Sequence, residues 1–431
     1  MKYFLILLII LFFDSFPQGL KNHSIFKSFN LSNYGIRSAL TSSLSAPKHI
    51  TGSGTSIDPY VLYDAWDVDS IRYFSSTAYF ELANDIDLSS LVSFTPIYPG
   101  TYWRGSLNGK GHKLSNLTIS SPPSLAAGKY YTGMFWGLGG NVASNIYTLY
   151  NVTFENFTLS LKYDIPSGYE FAFGAIAGEF GYVQSWYSVN NVSIINVNVR
   201  IEDTTAGSLS TFCVGGFVGI GSQVRLKNIS VSGSVYGRVP TTPTNNDRSG
   251  VGGLIGYSNA VISQCFSTAR IQSSNQLSDG SVVCGGVLGY VWGGSLTDVY
   301  YKSISGGIHS QNFQGGIAGL IKGAVITNAY AVIDSMDTQD RSSVNVAGII
   351  AGFAYTSANF IRCHADSQYT VKRPSYYTLG LVAGYQAGYS GSIPTPHTTS
   401  EMKTQSTFTS WDFTNTWAID STANSSYPYL K

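Results

Sequence analysis

Charge is scarce in this chain. Of 431 residues only 11% are charged, with 25 Lys and Arg against 24 Asp and Glu, under half the usual share of about 25%. No basic run occurs, so binding to nucleic acid through phosphate neutralisation is not expected. No segment sustains a 3.6-residue apolar period, which argues against a helical fold. The G-x-G-x-x-G, Walker and G-x-S-x-G patterns are missing. The six histidines (His23, His49, His112, His309, His364, His397) have no metal-ligand or triad spacing. These gaps name no catalytic residue, no cofactor and no metal site, and the expectation from sequence is a protein that is not an enzyme.

Long hydrophobic runs are also missing, apart from one at the N-terminus. In MKYFLILLIILFF a lysine precedes about eleven apolar residues, which suits a secretory signal and falls short of the ~20 a spanning helix needs. Residues 1–19 read as a signal peptide and 20–50 as a linker. The expected location is secreted or on the extracellular cell surface, with no membrane span after signal removal.

Glycine and tyrosine are abundant, at 46 and 30 residues. The glycines recur in order. Thr132-Gly-Met-Phe-Trp-Gly137, Phe173-Gly-Ala-Ile-Ala-Gly178 and Gly215-Gly-Phe-Val-Gly219 come first. Gly252-Gly-Leu-Ile-Gly256, Gly285-Gly-Val-Leu-Gly289 and Gly315-Gly-Ile-Ala-Gly319 follow, then Ala347-Gly-Ile-Ile-Ala-Gly352 and Leu379-Gly-Leu-Val-Ala-Gly384. Gly133, Gly174, Gly216, Gly253, Gly286, Gly316, Gly348 and Gly380 mark the scaffold column. The Ala-Gly copies at 347–352 and 379–384 carry one residue more, which predicts a local bulge.

A second column runs in step: Leu149-Tyr-Asn-Val152, Val189-Asn-Asn-Val192, Leu226-Lys-Asn-Ile229, Ile262-Ser-Gln-Cys265, Leu296-Thr-Asp-Val299, Ile326-Thr-Asn-Ala329 and Phe360-Ile-Arg-Cys363. Leu114-Ser-Asn-Leu117 extends it upstream. Each unit offers short β-type runs between turn residues and cannot bury its own apolar face, whereas stacked units share a core. The fold class is therefore all-β, a parallel β-helix or β-solenoid of about eight rungs. Residues 51–125 read as an N-terminal capping module and first rung, 126–392 as solenoid repeats, and 393–431 as an aromatic-rich C-terminal cap closing an open end. In the first of these, Asp64 is a helix N-cap and YFELANDIDL a strand.

These motifs resemble the GLUG repeat of bacterial and protist surface proteins. The GG-L-I-G core leads into I-S-Q-C. The segments GSGTSIDPYVL, FELANDIDLSS and WRGSLNGKGHKLSNLTI precede the repeats, and SEMKTQSTFTSWDFTNTWAID closes them. The resemblance covers roughly residues 51–431 and implies an adhesin-like or pectate-lyase-like β-solenoid. It carries no shared catalytic motif.

Eight Asn-x-Ser/Thr triplets, at Asn22, Asn30, Asn116, Asn151, Asn156, Asn191, Asn228 and Asn424, are candidate glycosylation sites. Four of them stand in the second column. There an inward amide ladder would shield them and an outward row would expose them, and the alternation of Leu117/Ile119 and Val152/Phe154 favours outward. Asn84-Asp85-Ile86-Asp87 is the best acidic grouping, and Asp334, Asp337 and Asp340 with Arg341 form a looser one. Cys265 and Cys363 lie three rungs apart, and Cys213 and Cys284 two, too far for disulfides. The pairs Tyr130-Tyr131, Tyr300-Tyr301 and Tyr376-Tyr377 suit stacking between rungs better than sugar binding.

The expected function is a non-enzymatic adhesive, binding or structural solenoid. Its partners would be host or extracellular-matrix glycans or surface proteins, with self-assembly as a further option. The alternative is a polysaccharide lyase or hydrolase on a pectate-lyase-like β-helix. An enzyme should bring acidic and basic residues together in one groove across neighbouring rungs, whereas an adhesin should show aromatic or polar rows.

Overall fold

A coil with turns of about the observed repeat length needs three walls, and each turn here supplies one strand or strand pair to each wall. One turn runs through Thr211–Gly215, Val218–Gly221 and Val224–Val239. The next runs through Gly250–Gly252 and Ile255–Ser258, then Val261–Ser267 with Arg270–Asn275. The computed structural model describes residues 50–431 except 121–123, 127, 140–146, 165–167, 182–186, 205–209, 240–247, 276–281, 304–305, 311–312, 338–346, 356, 369, 373–382 and 388–392. Successive turns pair in parallel and build an eight-stranded, a nine-stranded and a large sheet. One continuous apolar cluster fills the space between them. The expected parallel β-helix is what forms.

The glycines make the corner between the eight- and nine-stranded sheets possible. In Gly252-Gly253-Leu254-Ile255-Gly256 a Cβ on Gly252 would sit 2.1 Å from the Ile255 carbonyl oxygen. One on Gly256 would sit 2.5 Å from the Val214 amide nitrogen, in the other sheet. One on Gly253 would meet the Gly286 carbonyl and the Ser267 hydroxyl, each at 2.1 Å. Room for a side chain, rather than a left-handed backbone, is what is lacking. The two sheets meet backbone to backbone, and a separate apolar seam that includes Tyr131, Cys213, Ile220, Tyr257 and Tyr290 closes their junction.

Register revises the scaffold column. Gly174 pairs with Gly215, and Gly348 with Gly315, so Gly174 and Gly348 belong to the first glycine position and Gly216, Gly253, Gly286 and Gly316 to the second. Ala318 pairs with Ala351 three residues beyond each leading glycine. The 347–352 copy is thus equal in length to its neighbour and has no extra residue to bulge. Gly380 lies outside the described residues.

The second column has a backbone cause as well. Asn151, Asn191, Asn228, Gln264, Asp298, Asn328 and Arg362 all have φ between 51° and 56°. Asparagine tolerates this left-handed region better than other non-glycine residues, so it recurs at the kink. Asn116 belongs to another kink. Phe154 pairs with Leu114, so Asn116 stacks on Asn156 and Asn196, which are also left-handed. The side chains form an outer ladder, each amide donating to the previous rung: Asn196 Nδ2 to Asn156 Oδ1 at 2.8 Å, Asn156 Nδ2 to Asn116 Oδ1 at 3.0 Å, and Asn116 Nδ2 to Asp87 Oδ1 at 3.1 Å. Row and ladder are one structure, facing outward.

Asp64 caps the helix Ala65–Ser70 in a capping box with Asp67. At the other terminus the segment from Thr398 onward lies against the outer surface of the large sheet. Met402, Phe408, Trp411, Trp417 and Tyr427 pack on Tyr300 and Tyr330, and the Tyr330 hydroxyl donates to the Pro428 carbonyl at 2.5 Å. Trp417 Nε1 donates to Asp298 Oδ1 at 2.9 Å and Trp411 Nε1 to the Arg362 carbonyl at 3.2 Å. The aromatic residues of this segment bind several rungs side-on. All four cysteines are buried thiols. Cys213 sits in the corner seam and Cys284 in the main core, so those two do not share a face.

Two expected outcomes follow from the corner and the kink. Gly256→Ala should lower unfolding stability by about 1–3 kcal/mol, the usual cost of overpacking, read by denaturant titration. Gln264→Asn should raise it by about 0.5–1 kcal/mol by easing the left-handed strain, read the same way.

Candidate functional site

Along the corner seam, the residue that follows the last glycine of each copy is apolar in rung after rung. Ile220, Tyr257, Tyr290, Leu320 and Phe353 stand in mutual register. Glu179 occupies the same column one rung before Ile220. It is 5% exposed. A carboxyl in an apolar column is the informative exception in such a pattern.

Its surroundings come from three strands. Lys129 and Glu170 are aligned neighbours at the starts of Lys129–Thr132 and Glu170–Gly174, where Phe171 and Phe173 anchor the second strand in the core. Lys129 Nζ lies 3.4 Å from Glu179 Oε2 and 3.4 Å from Glu170 Oε1, so the two carboxyl groups share one ammonium. The Tyr102 hydroxyl donates to Glu179 and the Tyr131 hydroxyl to Glu170. Burial pushes the Glu179 carboxyl above its usual range, while Lys129 and then Tyr102 oppose the rise. Burial likewise pushes the Tyr131 phenol well up, and Glu179 and Glu170 add to it.

The cluster forms one end of a groove of about 370 Å³. The other end is Arg248, Tyr257 and Asn259, so the groove crosses four rungs. The Arg248 guanidinium stands 5.7 Å from the centre of the Tyr257 ring. Asn259 Oδ1 accepts from the Gln223 amide at 2.8 Å, which fixes the loop there. A buried carboxyl with a raised pKa, beside an ammonium-paired carboxylate, can give a proton and take one.

None of Lys129, Glu170 and Glu179 stood out in the sequence. The available signal was Glu179 after the final glycine of Phe173–Gly178, where other copies carry apolar residues. The residues that did stand out lie elsewhere. Asp85 Oδ1 is 3.3 Å from His112 Nδ1, and Asp87 heads the asparagine ladder, where the Ser89 amide and Asn116 hold its carboxyl below the usual range. The Asp334 amide bonds the Ser303 hydroxyl; the side chains of Asp337, Asp340 and Arg341 lie outside the described residues, as do Asn22, Asn30, His23, His49, Tyr376 and Tyr377. Asn156, Asn191 and Asn228 are exposed, Asn116 and Asn151 half-buried. Asn424 Nδ2 donates to Pro428 O and Tyr330 OH. Tyr130 packs against the main core and Tyr131 in the seam; Tyr301 is in the core and Tyr300 under the C-terminal segment. Among the described residues, no helix is long and apolar enough to cross a membrane.

A second buried titratable group lies under the C-terminal segment. His364 Nδ1 is 3.0 Å from His397 Nε2, and its ring packs edge-on against Phe408 and Trp411. Nearby, Asp366 accepts from the Thr399 and Tyr427 hydroxyls, and His397 Nδ1 lies 3.9 Å from Glu401. Burial first, then His397, holds His364 down from 6.5 to about 4.

No family model matches the chain, and no curated protein matches it. Several solved structures resemble it, among them these two. A candidate immunoglobulin A1 protease from Bacteroides ovatus is 16% identical with a TM-score of 0.49, covering 88% of this chain and 94% of its own. A structure named IgA1 protease is 15% identical with a TM-score of 0.41, covering 78% of this chain and 21% of its own. This chain therefore spans about a fifth of the second protein. At these values the likeness assigns no activity. It does correct the expectation of a chain that is not an enzyme, because both of these structures carry protease names.

The sign of the acid response follows from His364. The unfolded chain takes up this proton near 6.5 and the folded chain only near 4, so stability is lost as pH falls through that window. The melting temperature should drop between those values, and His364→Gln should flatten the drop in a thermal scan over pH.

Proposed function

We propose that this protein is an exported or surface-displayed GLUG-type β-helix that cleaves polysaccharide in the groove between Lys129 and Arg248. The observation that carries the reading is the pair Glu170 and Glu179 around Lys129, at the end of a groove that crosses neighbouring rungs. Acidic and basic residues meeting in one groove is the arrangement that separates an enzyme on this scaffold from a binding rod.

Glycoside hydrolysis needs one carboxyl that keeps its proton and one that stays ionised. Burial suits Glu179 to the first task. Its proton passes to the glycosidic oxygen as the bond from that oxygen to the anomeric carbon breaks. Glu170, beside the ammonium of Lys129 and bonded by Tyr131, suits the second: it takes a proton from the water that adds to the anomeric carbon. Tyr102 bonds Glu179, and Lys129 lies against both carboxyl groups, which holds them in place.

A second reading, adhesive contact with glycans or proteins, is favoured by the outward polar row of Asp87, Asn116, Asn156 and Asn196. It concerns a different face and is compatible with catalysis in the groove.

The test is a polysaccharide panel assayed for new reducing ends, with Glu179→Gln and Glu170→Gln beside the parent protein. The expected result is cleavage by the parent and a loss of about 10²–10⁴-fold in each variant, the usual weight of general acid or base catalysis. An unsaturated sugar product would replace hydrolysis by elimination. No cleavage across the panel, or a fully active Glu179→Gln, would overturn the reading.

A further inference from the structure

We infer that the groove is built for an acidic glycan lying along the axis of the coil, with Arg248 selecting its carboxylate. This deepens the polysaccharide reading and rests on it for the site of cleavage. The rungs give the track its direction. From Glu179 the register passes to Ile220, Tyr257 and Tyr290, each step about 4.8 Å, close to the advance of one pyranose unit in an extended chain. Gly181, Ser222, Asn259 and Trp292 each follow directly on the paired Phe180, Gly221, Ser258 and Val291, and Trp292 pairs with Lys322. Gly181, Ser222 and Asn259 line the groove, so the same line of residues continues past its end to an indole that is 40% exposed. Lys322 Nζ lies 4.2 Å from the centre of the Trp292 ring and 5.2 Å from that of Tyr355.

Charge identifies the occupant. Lys129, Arg248 and Lys322 stand along the track in a protein with little charge. The facing acids are Glu170, which is paired with Lys129, and Glu179, whose burial favours its protonated form. Among the described residues no carboxylate forms an ion pair with Arg248, which is exposed and rests only on Tyr257. A guanidinium fixed on an aromatic face presents its fork to a planar carboxylate. It sits two rungs from Glu179, so the acid group it holds belongs to a sugar about two units from the cleaved bond. Trp292, one rung further, supplies apolar surface for the body of the next sugar.

Binding separates this inference from the catalytic one. The probe is a set of uronic acid oligosaccharides and the same oligosaccharides with their carboxyl groups reduced to alcohols, titrated by calorimetry into the full chain carrying Glu179→Gln. The acidic set should bind at least tenfold more tightly. Arg248→Ala in that background should abolish the preference, Arg248→Lys should restore part of it, and Trp292→Ala should weaken only oligosaccharides long enough to reach it. Both residues are exposed, and unchanged thermal melts will show that these variants fold. Equal binding of acidic and reduced sets, or an acid preference that survives Arg248→Ala, overturns the inference. Acid-selective binding through Arg248 with no cleavage by the parent protein would leave this inference standing and remove the hydrolase reading. Cleavage confined to neutral glycans would do the reverse.

Discussion

Backbone contact between two sheets is the constraint on which this molecule depends. Where the eight- and nine-stranded sheets meet, a single methyl group at Gly252 or Gly256 would fall within 2.5 Å of a main-chain atom. That contact explains why glycine recurs at the repeat period and why no phosphate site is needed to account for it. It also fixes where the two strands that flank the corner can approach, which is at their glycine positions. Everything outside the core follows. The corner creates a seam, the seam demands an apolar column, and one rung departs from that demand.

The departure is where the titratable groups of the proposed site gather. A carboxyl at Glu179 interrupts a column of aromatic and aliphatic residues, and burial there alters its proton affinity. Natural sequences break local packing rules mainly where something other than packing is selected. Lys129, Tyr102 and Tyr131 together satisfy the buried group, so the exception costs less than an isolated acid would. The same residues form the polar end of the groove. Stability and chemistry here draw on one set of contacts.

Much of the fold was legible because a β-helix writes its period into the chain. The coil, its rung spacing, the outward asparagines and the Asp64 cap could all be read from residue order. The misreadings have physical causes. Asn116 reads as one column with Asn151 because both kinks use the same apolar-polar-Asn-apolar string, and only register separates them. The 347–352 copy reads as longer because Gly348 resembles the second glycine of a pair while standing in the place of the first. Cys213 and Cys284 both precede a glycine pair in the sequence, yet they lie one residue apart in phase, as the pairing of Val251 with Cys284 shows. The site escaped notice because its parts are far apart in sequence: Tyr102 and Glu179 are 77 residues apart and meet only when rungs stack.

The side-on C-terminal segment gives the coil an uneven response to force. Its contacts run from Gln264 through Asp298 and Tyr330 to Asp366, so these turns are clasped to one another by a strap as well as by their sheets. Of the four turns that the groove crosses, these contacts reach the last, through Gln264, and leave the turns of Lys129, Glu179 and Ile220 without a strap. If the two ends of the coil were pulled apart, turns would peel first from the unstrapped side, with the groove among them. Tension on this protein would then be felt at the groove while the strapped half stayed wound.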